Sequence, residues 1–250
     1  MTTARVVIIG AGQAGLQAAM SLRQEGHTGE ITLIGAEPGL PYQRPPLSKA
    51  YLKTGDAGPL TLRPEAFFDT KDITLVPETR IERIDREGKS VISGDRAWQY
   101  DHLIFATGAR NLRPPIPGLE ATLDLRTLED AGKLRARLDR PHRVAVIGGG
   151  FIGLEFAAVA ATLGHQVTVA EAAPRLMGRA VSPGMSQVFL DMHEGLGTQV
   201  LLGTPVSEVR NDGITLTDGR EVQADLVLLA AGVRPNVCLL YTSDAADDFA

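Results

Sequence analysis

The chain has 250 residues, of which 44% are hydrophobic and 22% charged, and its formal net charge at pH 7 is −5. This length and composition predict one or two ordinary globular domains that need no disulfide support. The single cysteine, Cys238, excludes an internal disulfide framework, a CxxC redox pair and a multi-cysteine zinc or iron–sulfur site. The acidic balance argues against general affinity for nucleic acid or anionic membranes. No segment reaches the ~18 apolar residues of a membrane span, and no targeting segment is visible, so we expect a cytoplasmic protein.

Two segments share one pattern, in which a short apolar run is followed by GxGxxG and a helical stretch. The first copy begins at Val6 and has its glycines at positions 10, 12 and 15; the second begins at Val144 and has them at 148, 150 and 153. The helical stretches cover 16–24 and 154–163, and a further apolar run follows each of them. Continuous apolar runs are typical of strands buried on both faces of a parallel sheet. The chain therefore contains two βαβ patterns.

Each βαβ pattern is followed by alternating segments and by a further apolar run that ends in glycine. The predicted strands are 73–76, 80–84, 90–92 and 103–105 in the first half, and 200–202, 206–209, 214–217 and 226–229 in the second. This repetition predicts an α/β fold of two tandem Rossmann-like domains, each a βαβ unit with a β-meander.

A proline-rich segment, 113–118, separates the two halves, because it cannot continue a helix or a central strand. Thr127 then resembles a helix N-cap ahead of apolar residues at 128, 131, 134 and 138. We predict a first domain over 1–112, a second over 113–237 and a separate tail over 238–250.

The GxGxxG motif binds phosphate through its backbone. In each copy the first glycine permits a tight turn, the second admits a pyrophosphate, and the third lets the helix pack closely on the strand. Glu37 and Glu171 follow the second strands, where a carboxylate accepts hydrogen bonds from ribose hydroxyls. Glu171 also repels a 2′-phosphate, which favours NADH over NADPH. Arg175 and Arg179 either contact the adenosine portion or form a solvated surface pair.

The stretch from Pro41 to Leu52, which contains RPPLSK, resembles the signature of FAD-dependent NAD(P)H:ferredoxin reductases. This group includes putidaredoxin reductase and the ferredoxin reductases of aromatic dioxygenases, in the pyridine nucleotide-disulfide oxidoreductase superfamily. The resemblance extends over 5–237 and includes both glycine loops, 125–130 and 232–236. In one departure, the family often has two successive acidic residues where this chain has Ala36-Glu37.

The resemblance implies an FAD site in the first domain and an NADH site in the second. With the motifs, it assigns to FAD the residues Gly10, Gly12, Ala14, Gly15, Glu37, Arg44, Pro45, Lys49, Ile81, Ala106, Thr107, Gly108 and Arg126. The residues expected at NADH are Gly148, Gly150, Ile152, Gly153, Glu171, Arg179 and Gly232. The resemblance further implies that Lys49 approaches the flavin near N5, and that Glu155 lies near the nicotinamide and faces Lys49. A cation there stabilises the negative charge that arrives with hydride, and a carboxylate orients the lysine or the amide.

No cysteine occurs in 38–60, which excludes thiol–disulfide chemistry at the flavin. The resemblance therefore implies an external electron acceptor, a [2Fe–2S] ferredoxin or a rubredoxin. The competing prediction is a redox-inactive dinucleotide-binding fragment of such a reductase. It arises because 238–250 resembles translated sequencing-adapter DNA, and because the family's return to the FAD domain and its C-terminal domain are not found. On this basis we expect weak retention of FAD. A flavin monooxygenase finds no support beyond the glycine loops.

Overall fold

The structure is a computed structural model that describes residues 3–241. These residues group into two compact units, which are described separately. Unit 1 comprises 3–43, 58–110 and 235–241, and unit 2 comprises 44–57 and 111–234. Residues 242–250, the main part of the predicted tail, lie outside the described residues.

Strands and helices alternate along most of the described chain. The strands are β1 (Val6–Ile9), β2 (Ile31–Ile34), β3 (Ile73–Val76), β4 (Arg83–Asp85), β5 (Ser90–Ser93), β6 (Arg96–Gln99), β7 (His102–Phe105), β8 (Ala109–Asn111), β9 (Arg143–Ile147), β10 (Gln166–Glu171), β11 (Gln199–Leu202), β12 (Val206–Arg210), β13 (Gly213–Leu216), β14 (Glu221–Gln223), β15 (Leu226–Leu229) and β16 (Val233–Pro235). The helices are α1 (Gln13–Gln24), α2 (Ala50–Thr54), α3 (Glu65–Thr70), α4 (Leu128–Ala136), α5 (Phe151–Thr162) and α6 (Pro183–Gly195). Short 3₁₀ turns cover Pro45–Ser48, Gly58–Leu60, Leu119–Ala121 and Cys238–Leu240.

Unit 1 is built on a parallel sheet with strand order β3-β2-β1-β7, and β4, β5 and β6 form an antiparallel sheet. All four residues of β1 are buried, because its two faces enter two different clusters. Val6 and Ile8 pack with Leu16 of α1. Val7 and Ile9 pack with the meander. Burial of both faces explains why the strand is a continuous apolar run rather than an alternating one.

Unit 2 repeats this plan. Its parallel sheet has the order β11-β10-β9-β15, and β12, β13 and β14 form the antiparallel sheet. Strand β9 pairs in parallel with both neighbours, so that Ile147 lies opposite Ala170 on one side and Leu229 on the other. The predicted α/β class and the predicted pair of βαβ-plus-meander domains are therefore confirmed.

An arginine–aspartate pair closes the same end of each sheet. Arg5 donates its backbone N–H to Asp101 at 2.7 Å, and Arg143 donates its own to Asp225 at 2.9 Å. Each guanidinium also contacts both oxygens of its aspartate. These hydrogen bonds lower the pKa of both carboxyls to about 2. The duplication thus extends to polar contacts that no sequence motif pointed to.

The helices that follow the glycine loops begin earlier than predicted, at Gln13 and Phe151 rather than at positions 16 and 154. The cause is that Gly12 and Gly150 act as N-caps, and the apolar pattern begins only after the first turn. The strand predicted over 80–84 is confined to Arg83–Asp85. The predicted cap at Thr127 is confirmed, and it starts α4.

The segment 44–57 groups with unit 2, although the predicted domain boundary places it in the first domain. Its apolar side chains explain the grouping, since Leu47 and Leu52 are buried at 3% and 2% exposure where the segment packs on α4 and α5. The packing of the segment is independent of which dinucleotide each unit binds. The assignment of FAD to the first domain and NADH to the second therefore stays a prediction. In residues 3–241 no helix is both long and apolar enough to cross a membrane.

His165 is a buried titratable group at the start of β10. The residue is 6% exposed, and its ring stacks on His142 at a centroid distance of 6.0 Å. Its Nδ1 accepts the His142 backbone N–H at 3.1 Å, as a neutral imidazole does. Burial, with His142 as a second cause, lowers the pKa of His165 below its ordinary value. Its contribution to stability is therefore present above the unfolded pKa of about 6.5 and is lost as the pH falls.

The variant His165→Asn is expected to make the stability of unit 2 less sensitive to acid. The asparagine carbonyl can still accept the His142 N–H, but it does not titrate. Between pH 7 and 5 the wild-type folding constant should therefore fall faster than that of the variant, by up to about tenfold per pH unit. Urea unfolding at several pH values measures this difference. The exposed His102→Asn is the control, and parallel pH profiles for wild type and His165→Asn would contradict the prediction.

Candidate functional site

The first glycine loop follows β1 and approaches the residue after β7. Gly10 has a φ of +114°, and a Cβ there would lie 2.1 Å from the Ala106 carbonyl oxygen. Only glycine combines a positive φ with so close an approach. Gly15 lies in the first turn of α1, where a Cβ would lie 1.8 Å from the Gly10 carbonyl oxygen. These glycines let the start of α1 pack against the strand ends.

The second glycine loop, after β9, has the same geometry. Gly148 has a φ of +112°, and a Cβ there would lie 2.4 Å from the Ala230 carbonyl oxygen. A Cβ at Gly153 would lie 2.1 Å from the Gly148 carbonyl oxygen. The two loops therefore obey the same steric constraint in separate units.

The helix ends at both loops fit a phosphate group. Gly12 and Gly150 cap α1 and α5, and neither cap places a side chain on the first N–H groups. The first intrahelical bonds come from Leu16 and Leu154, each at 3.0 Å, so the preceding N–H groups have no acceptor within their helix. Apart from the glycine itself and its two chain neighbours, a Cβ on Gly12 or Gly150 would have no atom of residues 3–241 within 4 Å. Open space, N–H donors and the positive helix end are the chemistry that binds a pyrophosphate.

The two predicted ribose ligands occupy positions that are not equivalent. The first glycine of each loop donates its N–H to the second strand, to Ile34 at 2.7 Å in unit 1 and to Ala170 at 2.9 Å in unit 2, which aligns these residues. Glu171 directly follows Ala170, whereas Glu37 lies further along the chain, after Gly35. An acidic residue after the second strand, which the sequence predicts in both units, therefore lies at a different position in each.

Different donors hold these two carboxylates. Glu171 accepts the backbone N–H groups of Gly149 at 2.6 Å and Ala173 at 2.8 Å, which keeps it against the glycine loop. Glu37 accepts the Tyr42 hydroxyl at 2.5 Å. Each carboxylate oxygen can accept more than one hydrogen bond, so both groups can still take ribose hydroxyls.

Lys49 and Glu155 lie together in unit 2. Lys49 Nζ is 2.8 Å from Glu155 Oε2 and 3.2 Å from the Pro45 carbonyl oxygen. The Lys49 side chain is 52% exposed and that of Glu155 30%. Glu155 belongs to α5, which begins at the glycine loop, and Lys49 lies between the Pro45–Ser48 turn and α2. The two residues that the resemblance implies face each other thus form an ion pair.

Arg44 and Arg126, both predicted at FAD, also meet in unit 2. Arg44 Nη1 donates to the Arg126 carbonyl oxygen at 2.7 Å. The backbone N–H groups of Arg126 and Thr127 donate to Asp130 Oδ2 at 3.1 and 2.9 Å, and Thr127 Oγ1 accepts the Asp130 N–H at 3.1 Å. The capping box that starts α4 therefore also holds the backbone of Arg126.

The strands β7 and β15 end in turns at Gly108 and Gly232, where φ is +67° and +111°. In unit 1, Thr107 Oγ1 donates to the Asn236 carbonyl oxygen at 2.7 Å, and Asn236 Nδ2 donates to the Thr107 carbonyl oxygen at 2.9 Å. In unit 2, the Gly232 carbonyl oxygen accepts the Leu112 N–H at 2.9 Å. These bonds hold both predicted cofactor turns in one conformation.

The two arginines after β10 differ. The Arg175 guanidinium donates to the Val181 carbonyl at 2.8 Å, to Ser186 Oγ at 2.9 Å and to the Gly178 carbonyl, so it holds the loop together. Arg179 is exposed on the same loop. Arg175 is therefore not part of a solvated arginine pair.

The remaining predicted residues are placed by the first turns and by the core. Ala14 and Ile152 lie in the first turns of α1 and α5, and Pro45 lies in a 3₁₀ turn. Ile81 is 6% exposed and packs among the residues between β1 and the meander. Its predicted backbone contact with adenine stays a prediction.

Two residues that organise these groups were not predicted. Ser48 Oγ donates to Glu155 Oε2 at 2.5 Å, and Asn236 bridges to Thr107 as described. Both lie inside the resembling segments, Ser48 beside Lys49 and Asn236 beside Pro235, and no charge or motif of their own marks them. Their partners lie far away in the sequence, so no local pattern identifies them.

Comparison with known proteins places these observations in a family. The family model described as pyridine nucleotide-disulphide oxidoreductase matches residues 4–247. Rhodocoxin reductase of Rhodococcus erythropolis is 47% identical over 241 residues, which cover 93% of this chain and 56% of that protein. A ferredoxin reductase of Rhodopseudomonas palustris has a solved structure that is 46% identical, with a TM-score of 0.91, covering 94% of this chain and 60% of that one.

A third similarity is to a solved covalent complex of putidaredoxin reductase with putidaredoxin. It is 35% identical with a TM-score of 0.92, and the match covers 98% of this chain and 62% of that one. The chain thus spans less than two thirds of the length of these relatives. Proteins of this family use FAD and a pyridine nucleotide, in agreement with the two helix ends that fit a phosphate group. The matched family model, which covers nearly all of the chain, confirms the resemblance found in the sequence: the chain belongs to the pyridine nucleotide-disulphide oxidoreductase family.

Proposed function

We propose that the chain is the dinucleotide-binding part of a cytoplasmic flavoprotein oxidoreductase that takes electrons from NADH through FAD and passes them to a small iron–sulfur protein. The observation that carries the proposal is the ion pair of Lys49 and Glu155, 2.8 Å apart, on the unit that contains the second glycine loop. A lysine and a glutamate that were exposed and made no contact with each other would be ordinary surface residues and would not indicate a site. Two phosphate-binding helix ends in one chain add the requirement for two dinucleotides.

The glycine loop of unit 1 is proposed to hold FAD and that of unit 2 to hold NADH. The N–H groups at the start of α1 and α5 bind the pyrophosphates, and Glu37 and Glu171 accept ribose hydroxyls. The bonds to Gly149 and Ala173 keep the Glu171 carboxylate where its charge opposes a 2′-phosphate.

When bound, FAD supplies the ability to accept a hydride from NADH and to release electrons singly. Lys49 provides a fixed positive charge for the site at which negative charge arrives. Glu155 keeps the lysine side chain in one orientation, because Nζ binds its Oε2. Arg44, bonded to the Arg126 carbonyl, adds a second cation whose position is set by the capping box of α4.

The proposed acceptor is a [2Fe–2S] ferredoxin or a rubredoxin. The similar proteins are named for such acceptors, rhodocoxin and putidaredoxin, and one was solved in complex with putidaredoxin. The stretch 38–60 has no cysteine, so a flavin in this chain has no redox disulfide there to reduce.

The activity test uses the full 250-residue chain supplied with FAD. NADH should reduce ferricyanide, and cytochrome c should be reduced only when a [2Fe–2S] ferredoxin is added. Lys49→Met should slow NADH oxidation by at least about tenfold, since a group that stabilises developing charge is removed. Lys53→Met, an exposed lysine four positions away, is the matched control. A chain that binds NADH but shows no flavin absorbance would favour the redox-inactive alternative.

The assignment of one dinucleotide to each unit is tested by Gly12→Ala and Gly150→Ala. Beyond its chain neighbours neither Cβ would meet an atom of residues 3–241, and φ is −83° and −87°, so the fold should tolerate both changes. Each Cβ would instead enter the space proposed for a pyrophosphate. We expect Gly12→Ala to weaken FAD binding and Gly150→Ala to weaken NADH binding, each by at least about tenfold, without the crossed effect. Fluorescence titration measures both. Equal weakening of both ligands by one variant would contradict the assignment.

The variant Glu171→Gln tests the preference for NADH. Removal of the negative charge should reduce the ratio of NADH to NADPH affinity by about tenfold, mainly through tighter NADPH binding. Titration with both nucleotides gives the ratio, and thermal unfolding shows whether the loop that Glu171 holds is intact. A wild-type chain that prefers NADPH would refute the role given to Glu171.

A further inference from the structure

Ser48 is a buried hydroxyl next to the proposed redox pair. Its residue is 5% exposed, in the 3₁₀ turn that precedes Lys49. Ser48 Oγ lies 2.5 Å from Glu155 Oε2 and 3.4 Å from the Pro45 carbonyl oxygen. A hydroxyl has a single proton, and the short bond to an ionised carboxylate is the stronger of the two. Ser48 therefore donates to Glu155.

Ser48 and Lys49 bind the same oxygen of Glu155. Lys49 Nζ is 2.8 Å from Oε2, the atom that accepts the serine hydroxyl. Among residues 3–241 the structure gives Oε1 no hydrogen bond, and the Glu155 side chain is 30% exposed. The carboxylate thus has one oxygen held by the chain and one oxygen open to a donor on a bound ligand.

The ion pair alone does not explain the position of Lys49. A pair of exposed side chains gains little energy, because water competes for both charges and both chains lose rotamer freedom. The pair of Lys133 and Glu129, at 2.6 Å and 62% and 73% exposure, is of that kind. Glu155 differs because the buried Ser48 hydroxyl, if the carboxylate moves away, exchanges its bond of 2.5 Å for the long contact of 3.4 Å to the Pro45 carbonyl oxygen, which is a weaker interaction.

We propose that Ser48 is a positioning residue that holds Glu155 in one rotamer, so that Oε2 pairs with Lys49 and Oε1 faces the ligand. The positioning is a property of the chain itself, and only the identity of the ligand rests on the proposed function. Loss of the Ser48 hydroxyl should first release the Glu155 carboxylate from its rotamer. Lys49 then loses its ion-pair partner and keeps only its bond to the Pro45 carbonyl oxygen.

The test measures how fast each lysine of the ligand-free 250-residue chain is acetylated, by mass spectrometry. The chain has only five lysines, at positions 49, 53, 71, 89 and 133, so each rate is resolved. An amine in a fixed ion pair reacts slowly, because the reagent must first displace its partner. Ser48→Ala and Glu155→Gln should each raise the rate at Lys49 about three- to tenfold, and the double variant should add little, since both remove one coupled interaction. Ser48→Thr, which keeps the hydroxyl, should restore the slow rate.

Ser90→Ala is the matched control, because Ser90 is also a buried serine at 5% exposure but lies in unit 1. It should leave the rate at Lys49 unchanged. If Ser48→Ala unfolds the chain, the acetylation rates of all five lysines rise together. Ser48→Cys is then used instead, because a thiol fills the space of the hydroxyl but is a weaker hydrogen-bond donor. An unchanged Lys49 rate in a folded Ser48→Ala or Ser48→Cys variant overturns the proposal.

A second readout ties the positioning to the ligand. In the folded Ser48 variants the dissociation constant for NADH should rise about three- to tenfold, because Oε1 is no longer held in place, whereas Ser90→Ala should not change it. The acetylation rates need no cofactor, so a chain that fails the reductase assay still decides the role of Ser48. Faster acetylation with unchanged NADH affinity would refute the part of the proposal that gives Oε1 to the ligand.

Discussion

The fold depends on how closely a glycine loop approaches the end of a neighbouring strand. In each unit a Cβ on the first glycine would lie about 2 Å from a backbone carbonyl oxygen, that of Ala106 or Ala230. This approach brings the N-terminus of a helix to the carboxyl ends of the parallel strands. Any side chain there would push the helix away, and the exposed N–H donors would no longer point into open space. The steric constraint on one atom therefore creates the helix end that we propose binds a phosphate.

The same constraint positions the ion pair of Lys49 and Glu155 in unit 2. Because Gly150 caps α5, which begins at Phe151, Glu155 lies just after the first turn of the helix, and the Pro45–Ser48 turn of the segment 44–57 packs against this helix. Leu47 and Leu52 anchor this segment in the core, so Ser48 and Lys49 between them are held by apolar burial rather than by their own charges. The hydrogen bonds of Ser48 and Lys49 to Glu155 thus have a fixed geometry because the apolar side chains before and after these residues are buried.

The two units show which parts of a duplicated design are interchangeable. The steric contacts of the glycines and the arginine–aspartate pairs at the opposite end of the sheets occur in both. The two predicted ribose carboxylates do not occupy corresponding positions, since Glu171 directly follows Ala170, the residue aligned with Ile34, whereas Glu37 comes three residues after Ile34. Only a few backbone arrangements allow such close packing, so both units use the same one. A side chain that faces a ligand can come from any residue that reaches the same space.

The sequence by itself determined the two βαβ units, the strand and helix order and the steric roles of the first and third glycines of each loop. These features rest on local patterns: continuous apolar runs for strands buried on both faces, and glycine where a Cβ cannot fit. Only the tertiary structure decided that 44–57 packs with unit 2, that Ser48 shares an oxygen of Glu155 with Lys49, and that Asn236 holds Thr107. Ser48 and Glu155 are 107 positions apart and Thr107 and Asn236 are 129 apart. The geometry of such contacts follows from the packing of whole elements, which no local spacing encodes.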